Sequence, residues 1–286
     1  MAILLAHELG HYTVGRAHGL DVSPPYFIPA PVVAFGTFGA IIRMRSQPSD
    51  RSGLLEMGAA GPLAGALVTL VVLAAGLPGT ISEPPELPPP PAIEEVELHP
   101  VIIGVLEGLD SALSWGPIGE VLTRLAPPIP EGHAPVIIMN NPLVMDLLGS
   151  LLLGAPPGRY DQLSPLAMAG WVGCLLTAIN LVPIGQLDGG HVLNAVAPGR
   201  ARKVSLGLLV VAIVSGVFWT GWAFWGLLLL AMGAWRSVPI PHDPPLSPRA
   251  RLIAAAVALT FVLTFMARPI EMDSLPYAAP AVGELP

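Results

Sequence analysis

Long apolar runs broken by short polar stretches set the layout of the chain. Gly53 to Leu77 and Ser164 to Val182 are almost free of charge. At about 1.5 Å of rise per residue, each is long enough to be read as a membrane-spanning helix. Val204 to Trp235 is too long for one ordinary span, and Phe218-Trp219-Thr220-Gly221-Trp222 in its middle reads as an interfacial aromatic turn, so a hairpin of two short helices is predicted. Leu252 to Ala267 is a final apolar span, and Pro269 to Pro286 reads as a short acidic tail. Met1 to about Gly19 is a further apolar helix closed by Arg16, His18 and Gly19. It falls short of the about 20 residues a bilayer core asks for, so a further helix is expected upstream.

Between these runs the pattern changes. Pro24, Pro25, Pro29 and Pro31 forbid a helix, whereas Val32-Val33-Ala34-Phe35 and Ala40-Ile41-Ile42-Arg43-Met44-Arg45 read as two short strands with Gly36-Thr37-Phe38-Gly39 turning between them. The competing reading is an interfacial loop. Pro78 to Leu163 mixes prolines with acids such as Glu83, Glu86, Glu94, Glu95 and Glu97, the composition of an extended, solvated linker. Inside it, Val101 to Leu125 and Val136 to Leu153 read as surface or amphipathic helices, and His99 and His133 as exposed. The expected fold is an all-α polytopic membrane protein with about six transmembrane or partial transmembrane helices and a small β-hairpin beside the first. Its units are 1–77, 78–163, 164–268 and the tail 269–286.

Composition sharpens this. Hydrophobic residues make up 53% and charged residues 12%, with mean hydropathy +0.67, against about 25% charged in an ordinary soluble domain. The bilayer is therefore a partner. A net charge of -7 argues against nucleic acid. The single cysteine, Cys174, excludes an internal disulfide and cannot build a thiolate metal site alone. The 34 prolines and 31 glycines require broken helices and tight turns.

The chemistry lies in two stretches. Ala6-His7-Glu8-Leu9-Gly10-His11 carries an H-E-x-x-H pattern. On a helix, His7 and His11 lie one above the other on one face, and two neutral imidazoles aimed at one spot suit zinc. Glu8 is turned partly round the helix, where it can reach water without ligating. A chance match on a surface helix is the plain alternative, but ionisable groups are costly in a segment this apolar. The second stretch runs from Asn180 through Pro183 to Asp188-Gly189-Gly190-His191. Asp188 on a broken-helix turn could supply the third ligand and leave a fourth position open, the preferred reading; the alternative is a cap for a helix beginning near Gly189. His191 could be offered as a ligand too, though a supporting or packing role is preferred. Gly61 and Gly65, in a small-x-x-x-small face, allow close approach of another helix, expected to be the motif helix. Glu56 reads as interfacial rather than catalytic.

His7-Glu8-Leu9-Gly10-His11, the segment from Pro24-Pro25-Tyr26-Phe27-Ile28-Pro29 to Gly36-Thr37-Phe38-Gly39, Gly58-Ala59-Ala60-Gly61-Pro62, and Asn180-Leu181-Val182-Pro183 with Leu187-Asp188-Gly189-Gly190-His191 occur in an order and spacing covering most of the chain. In these residues the chain resembles the site-2 protease family of intramembrane zinc metalloproteases, in the branch found in bacteria and plastids. The resemblance implies one Zn2+ on His7, His11 and Asp188, Glu8 as catalytic base, Asn180 binding substrate or the oxyanion, and cleavage of a single-span membrane protein substrate. A metal-binding membrane transporter or a non-proteolytic scaffold is the alternative function, and Glu8 discriminates, because a transport site has no need of it.

Arg16, Arg43, Arg45 and Arg51 place the loop after the motif helix on the cytoplasmic side, and the acidic linker outside. Arg200, Arg202 and Lys203 before the helical hairpin, with Arg236, Arg249 and Arg251 after it, return both its ends inside. The two halves of the expected metal site thus approach from the cytoplasmic leaflet. No transit-like leader precedes the motif helix, which gives the expectation of a bacterial inner (cell) membrane.

Overall fold

The structure is a computed structural model and describes residues 1–29, 37–42, 46, 48, 50–82, 132–233 and 245–276. The motif helix α1 spans Ala2–Ala17. The strands β1 (Tyr26–Pro29) and β2 (Thr37–Ile41) follow, then the long helix α2 (Arg51–Gly76) and a 3₁₀ turn at Leu77–Gly79. Beyond these come β3 (His133–Met139), α3 (Leu143–Leu153), α4 (Pro165–Leu181), α5 (Asp188–Val196), α6 (Pro198–Ser215), α7 (Thr220–Ala231), α8 (Pro248–Thr264) and β4 (Ile270–Pro276). The protein is mostly helical with small antiparallel sheets. Among the described residues one helix, continuing to Gly79, is long and apolar enough to cross a membrane; α3, α4 and the body of α7 are shorter apolar helices.

The starts of the helices are written in their sequences. Asp50 accepts from the Gly53 amide at 2.7 Å, and Ser164 and Ser247 each accept from an amide three residues on at 3.1 Å, with Pro165 and Pro248 at the first helical positions. Helix α2 is the axis of the packing, with α1, α4, α5 and α8 all laid against it. One end of this core is filled by Leu73, Leu77, Met145, Trp171 and Cys174. A second cluster, Ala59, Leu181, Val192 and Val257, joins α2, α4, α5 and α8.

The expected spans at 53–77, 164–182 and 252–267, and the hairpin within 204–235, correspond to α2, α4, α8 and the pair α6–α7. Elsewhere three readings need correcting. The hairpin beside the motif helix is present, but its first strand is Tyr26–Pro29 and Thr37–Gly39 belong to β2 rather than to a turn, with Tyr26 opposite Ile41 and Pro29 opposite Thr37. Proline excludes a helix there, yet each strand of a two-stranded sheet has an unpaired edge on which proline is tolerated. Val32–Phe35 lies outside the described residues, as do His99 and the predicted helix at 101–125.

The predicted helix at 136–153 is a strand followed by a helix, parted at Asn140-Asn141-Pro142, and its strand pairs with residues 270–276 of the expected tail, Ile137 opposite Met272. His133 opens β3 and is half-buried rather than exposed. The loop before α4 clasps this sheet: Arg159 lies 3.3 Å from Glu271 and 3.2 Å from Asp273, and the Tyr160 hydroxyl donates to Asp273 at 3.1 Å. The Ser274 amide, Tyr160 and Arg159 together hold the Asp273 carboxyl below the usual carboxylate range.

Candidate metal centre

Three side chains from two distant helices converge beside α2. His7 and His11 are buried, on the inward face of α1, and Asp188 is the first residue of α5. His7 Nε2 lies 3.2 Å and His11 Nε2 3.3 Å from Asp188 Oδ2, and the two nitrogens are 3.1 Å apart. Three ligand atoms, each about 2.0–2.1 Å from a tetrahedral zinc, would stand about 3.3 Å from one another. The spacing therefore suits one small tetrahedral ion. Proton chemistry points the same way. His11 Nδ1 is 2.8 Å from the Met57 carbonyl, which can only accept, so in the neutral ring that nitrogen carries the hydrogen and Nε2 is bare. The bare His11 nitrogen, the His7 nitrogen beside it and a carboxylate oxygen facing one point form a donor set for a cation, and the carbonyl behind His11 fixes its ring orientation.

The approach of α1 to α2 depends on glycine. Gly61 lies directly against the His11 imidazole, where a Cβ would collide with Nε2, and a Cβ at Gly65 would stand 3.3 Å from His7 Cβ. The expected partner of this small-residue face is thus the one observed. On the other side, the carbonyls of Leu181 and Val182 press on Gly189, leaving no room for a side chain where the chain folds back onto α5. The far end of α5 is held by Arg51 at the head of α2, whose Nε donates to Ala195 O at 2.7 Å and Nη2 to Val196 O at 3.0 Å. A cation there meets the carbonyls that end a helix.

Asp188 does not serve as a cap. Leu187 takes the cap position and the carboxylate is turned to the imidazoles. Glu8 is half-buried and close enough to interact electrostatically with His7, His11 and Asp188. Asn180 sits half-buried in the last turn of α4, just before the turn that leads to Asp188. His191, one turn beyond Asp188, packs against Gly58; its Nδ1 is buried and makes no hydrogen bond among the described residues. Glu56 accepts from His18 at 3.0 Å and lies 3.8 Å from Arg249. Sequence reasoning missed Arg51 as a clamp and Met57 as the group behind His11. The first is a contact across 144 residues and the second a backbone atom, so neither leaves a local pattern.

A cavity of about 390 Å3 opens beside the turn after α4. Val182, Pro183 and Ile184 form one wall and Leu208, Trp222 and Phe261 part of the others.

Fold and site together define a helical protein with a triad able to hold a metal ion, set against the longest apolar helix among the described residues. The chain belongs to Peptidase family M50, which matches residues 1–218, the family of the motif resemblance and one of membrane proteins. It is similar to the probable zinc metalloprotease EGY1, chloroplastic, of Arabidopsis thaliana, at 30% identity over 73% of this chain and 30% of that protein. It is 29% identical to EGY1 of Oryza sativa subsp. japonica over 85% of this chain and 35% of that protein. It is 26% identical to the probable zinc metalloprotease EGY2, chloroplastic, of Oryza sativa subsp. indica, over 95% and 42% respectively. The chain thus spans well under half the length of these relatives. No solved structure matches it.

Proposed function

We propose that this chain is a zinc metalloendopeptidase that hydrolyses peptide bonds of membrane-anchored proteins within or at the edge of the bilayer. The observation that carries this reading is the meeting of His7 Nε2, His11 Nε2 and Asp188 Oδ2 within 3.1–3.3 Å of one another, with Glu8 beside them. His7, His11 and Asp188 hold the ion. Zinc, when bound, supplies Lewis acidity and makes water acidic enough to ionise near neutral pH. Glu8 takes the proton from the attacking water and hands it to the leaving amine. Asn180 donates its amide hydrogens to the substrate carbonyl from the turn ahead of Asp188. Family membership, and the names of the similar plant proteins, support the same class of reaction.

Substrate helices hide their peptide bonds, so the chain must hold an unwound segment. The β1–β2 hairpin offers an open strand edge for that purpose. The cavity beside Val182 and Pro183 offers apolar room for flanking side chains. Proline at Ile41 is expected to lower cleavage of a single-span substrate several-fold while zinc content is unchanged; full cleavage by a folded Ile41→Pro protein would remove the hairpin from the mechanism.

The membrane arrangement belongs to the same proposal: about six spanning or partly spanning helices, with the site near the cytoplasmic leaflet of a bacterial cell membrane. Arg51, Arg249, the end of α5 and the start of α8 gather at one end of the molecule, which supports a cytoplasmic face rich in arginine. The similar proteins are named chloroplastic, and a plastid membrane is the other setting consistent with the charge pattern.

The test is metal analysis of the purified full chain beside cleavage of a panel of single-span substrates. About one zinc per chain is expected, with cleavage lost on chelation and regained on adding zinc. Undiminished cleavage by protein shown to be metal-free would sink the proposal.

A further inference from the structure

The β3–β4 sheet is inverted relative to a sheet in water. Successive side chains of a strand point to opposite faces, and the polar set ordinarily faces out. Here Glu271 and Asp273 face the loop that carries Arg159 and Tyr160, with Ile138 buried on the same side. On the opposite face the cross-strand pair Ile137 and Met272 is 73% and 76% exposed. Helix α3 continues the pattern. Leu143, Leu147 and Leu151, one turn apart along one side, are exposed, whereas Met145 and Gly149 are buried opposite. Charges paired with one another on the loop-covered face, and aliphatic side chains left uncovered on the other, suit an apolar exterior on that second face.

Neighbouring contacts set the level of this surface. Strand β4 follows directly after α8, whose own outer flank exposes Leu252, Leu259 and Val262. The indoles of Trp219 and Trp222 donate to the carbonyls of Ile270 and Ala267, both at 2.7 Å, and tryptophan concentrates where a bilayer meets water. Asn140, between β3 and α3, donates through its side chain to Arg268 O at 2.6 Å and through its backbone to Pro269 O at 3.0 Å. The sheet and the start of α3 therefore stand where α8 ends. With 11 residues, α3 is about 16 Å long, too short to cross a core of about 30 Å.

We infer that β3, β4 and α3 form an interfacial membrane anchor whose Ile137, Met272, Leu143, Leu147 and Leu151 face rests in the acyl–headgroup boundary of a lipid leaflet. Lipid is the occupant because the face continues the apolar flank of α8, and because Arg159 and Arg268, the cations beside it among the described residues, are paired with Glu271 and Asp273. The inference does not rest on the proteolytic reading. It moves residues 133–153 out of the solvated linker in which the sequence pattern alone puts them.

Nitroxide labels on cysteines placed at Ile137, Met272 and Leu147 in the full chain, in nanodiscs, test it; the native Cys174 is buried and stays unlabelled. Collision with oxygen is expected to exceed collision with a water-soluble nickel chelate at all three, as for a label at Leu259 and opposite to one at the exposed Gln162. Nickel access at 137 and 272 equal to that at 162 would overturn the inference. So would spin–spin broadening that disappears on dilution with unlabelled chain, which assigns the face to a second copy. A lipid with a photoactivatable acyl chain, applied to the unmodified protein, reads the same surface without substitution. It should mark peptides from 133–153 and 270–276 as well as α8, and marking of α8 alone counts against the anchor.

Discussion

Exchange of Glu8 for glutamine is expected to lower the rate of peptide cleavage by ~10²–10⁴-fold, the range a positioned general base contributes, with about one zinc still bound per chain. The amide keeps the size of the side chain and has no basic oxygen able to take a proton from water. His7, His11 and Asp188 are untouched, so the donor set that lies within 3.1–3.3 Å survives. Steady-state kinetics on a single-span substrate, with metal analysis of the same preparation, reads both quantities. Loss of zinc together with activity would mean that Glu8 is a ligand. Unchanged turnover would return the site to the transport or scaffold reading, which has no use for a base beside the first histidine.

A single methyl group at Gly61 is expected to empty the site without altering any ligand. The Cβ of alanine there would collide with the Nε2 nitrogen of His11. To make room the imidazole must rotate, breaking its 2.8 Å bond to the Met57 carbonyl, or α1 must withdraw from α2. Overpacking of this kind typically costs about 1–3 kcal/mol, and loss of the group orienting a ligand lowers metal affinity by about 10–100-fold. Gly65→Ala is the internal comparison, because its Cβ would stand 3.3 Å from His7 Cβ and a small shift accommodates it. Zinc retained after dialysis against a weak chelator should fall in the order parent, Gly65→Ala, Gly61→Ala. Equal retention in all three would show that the helix contact does not set the ligand geometry.

The parts of this molecule that were legible in the sequence are those written in short-range spacing. His7 and His11 are one helical turn apart, and α2, α4 and α8 are uninterrupted apolar runs beginning at recognisable caps, so element and face could be read together. Asp188 was legible as a candidate because a carboxylate between a broken helix and two glycines requires a reason, although its turn toward the imidazoles depends on α5 being seated against α2.

What escaped reading depends on contacts between distant residues. The β-branched run Val136-Ile137-Ile138 of β3 merges in the sequence with the apolar residues of α3, and its partner strand lies past six helices, with Asn140 and Arg268 joined across 128 residues. The Arg51 clamp is equally nonlocal. At β1 the prolines were read correctly as excluding helix, while their tolerance on an unpaired edge went unused.

Arg51 binds the last carbonyls of α5 across 144 residues, and this has a consequence during synthesis. A nascent chain that has emerged only through α2 carries His7, Glu8 and His11, yet neither Asp188 nor the helix that delivers it. Until translation passes α5 and that helix docks on the head of α2, the chain holds two of the three proposed ligands. Under the proposed function, the order of the sequence keeps the newborn site incomplete until a contact across 144 residues has closed.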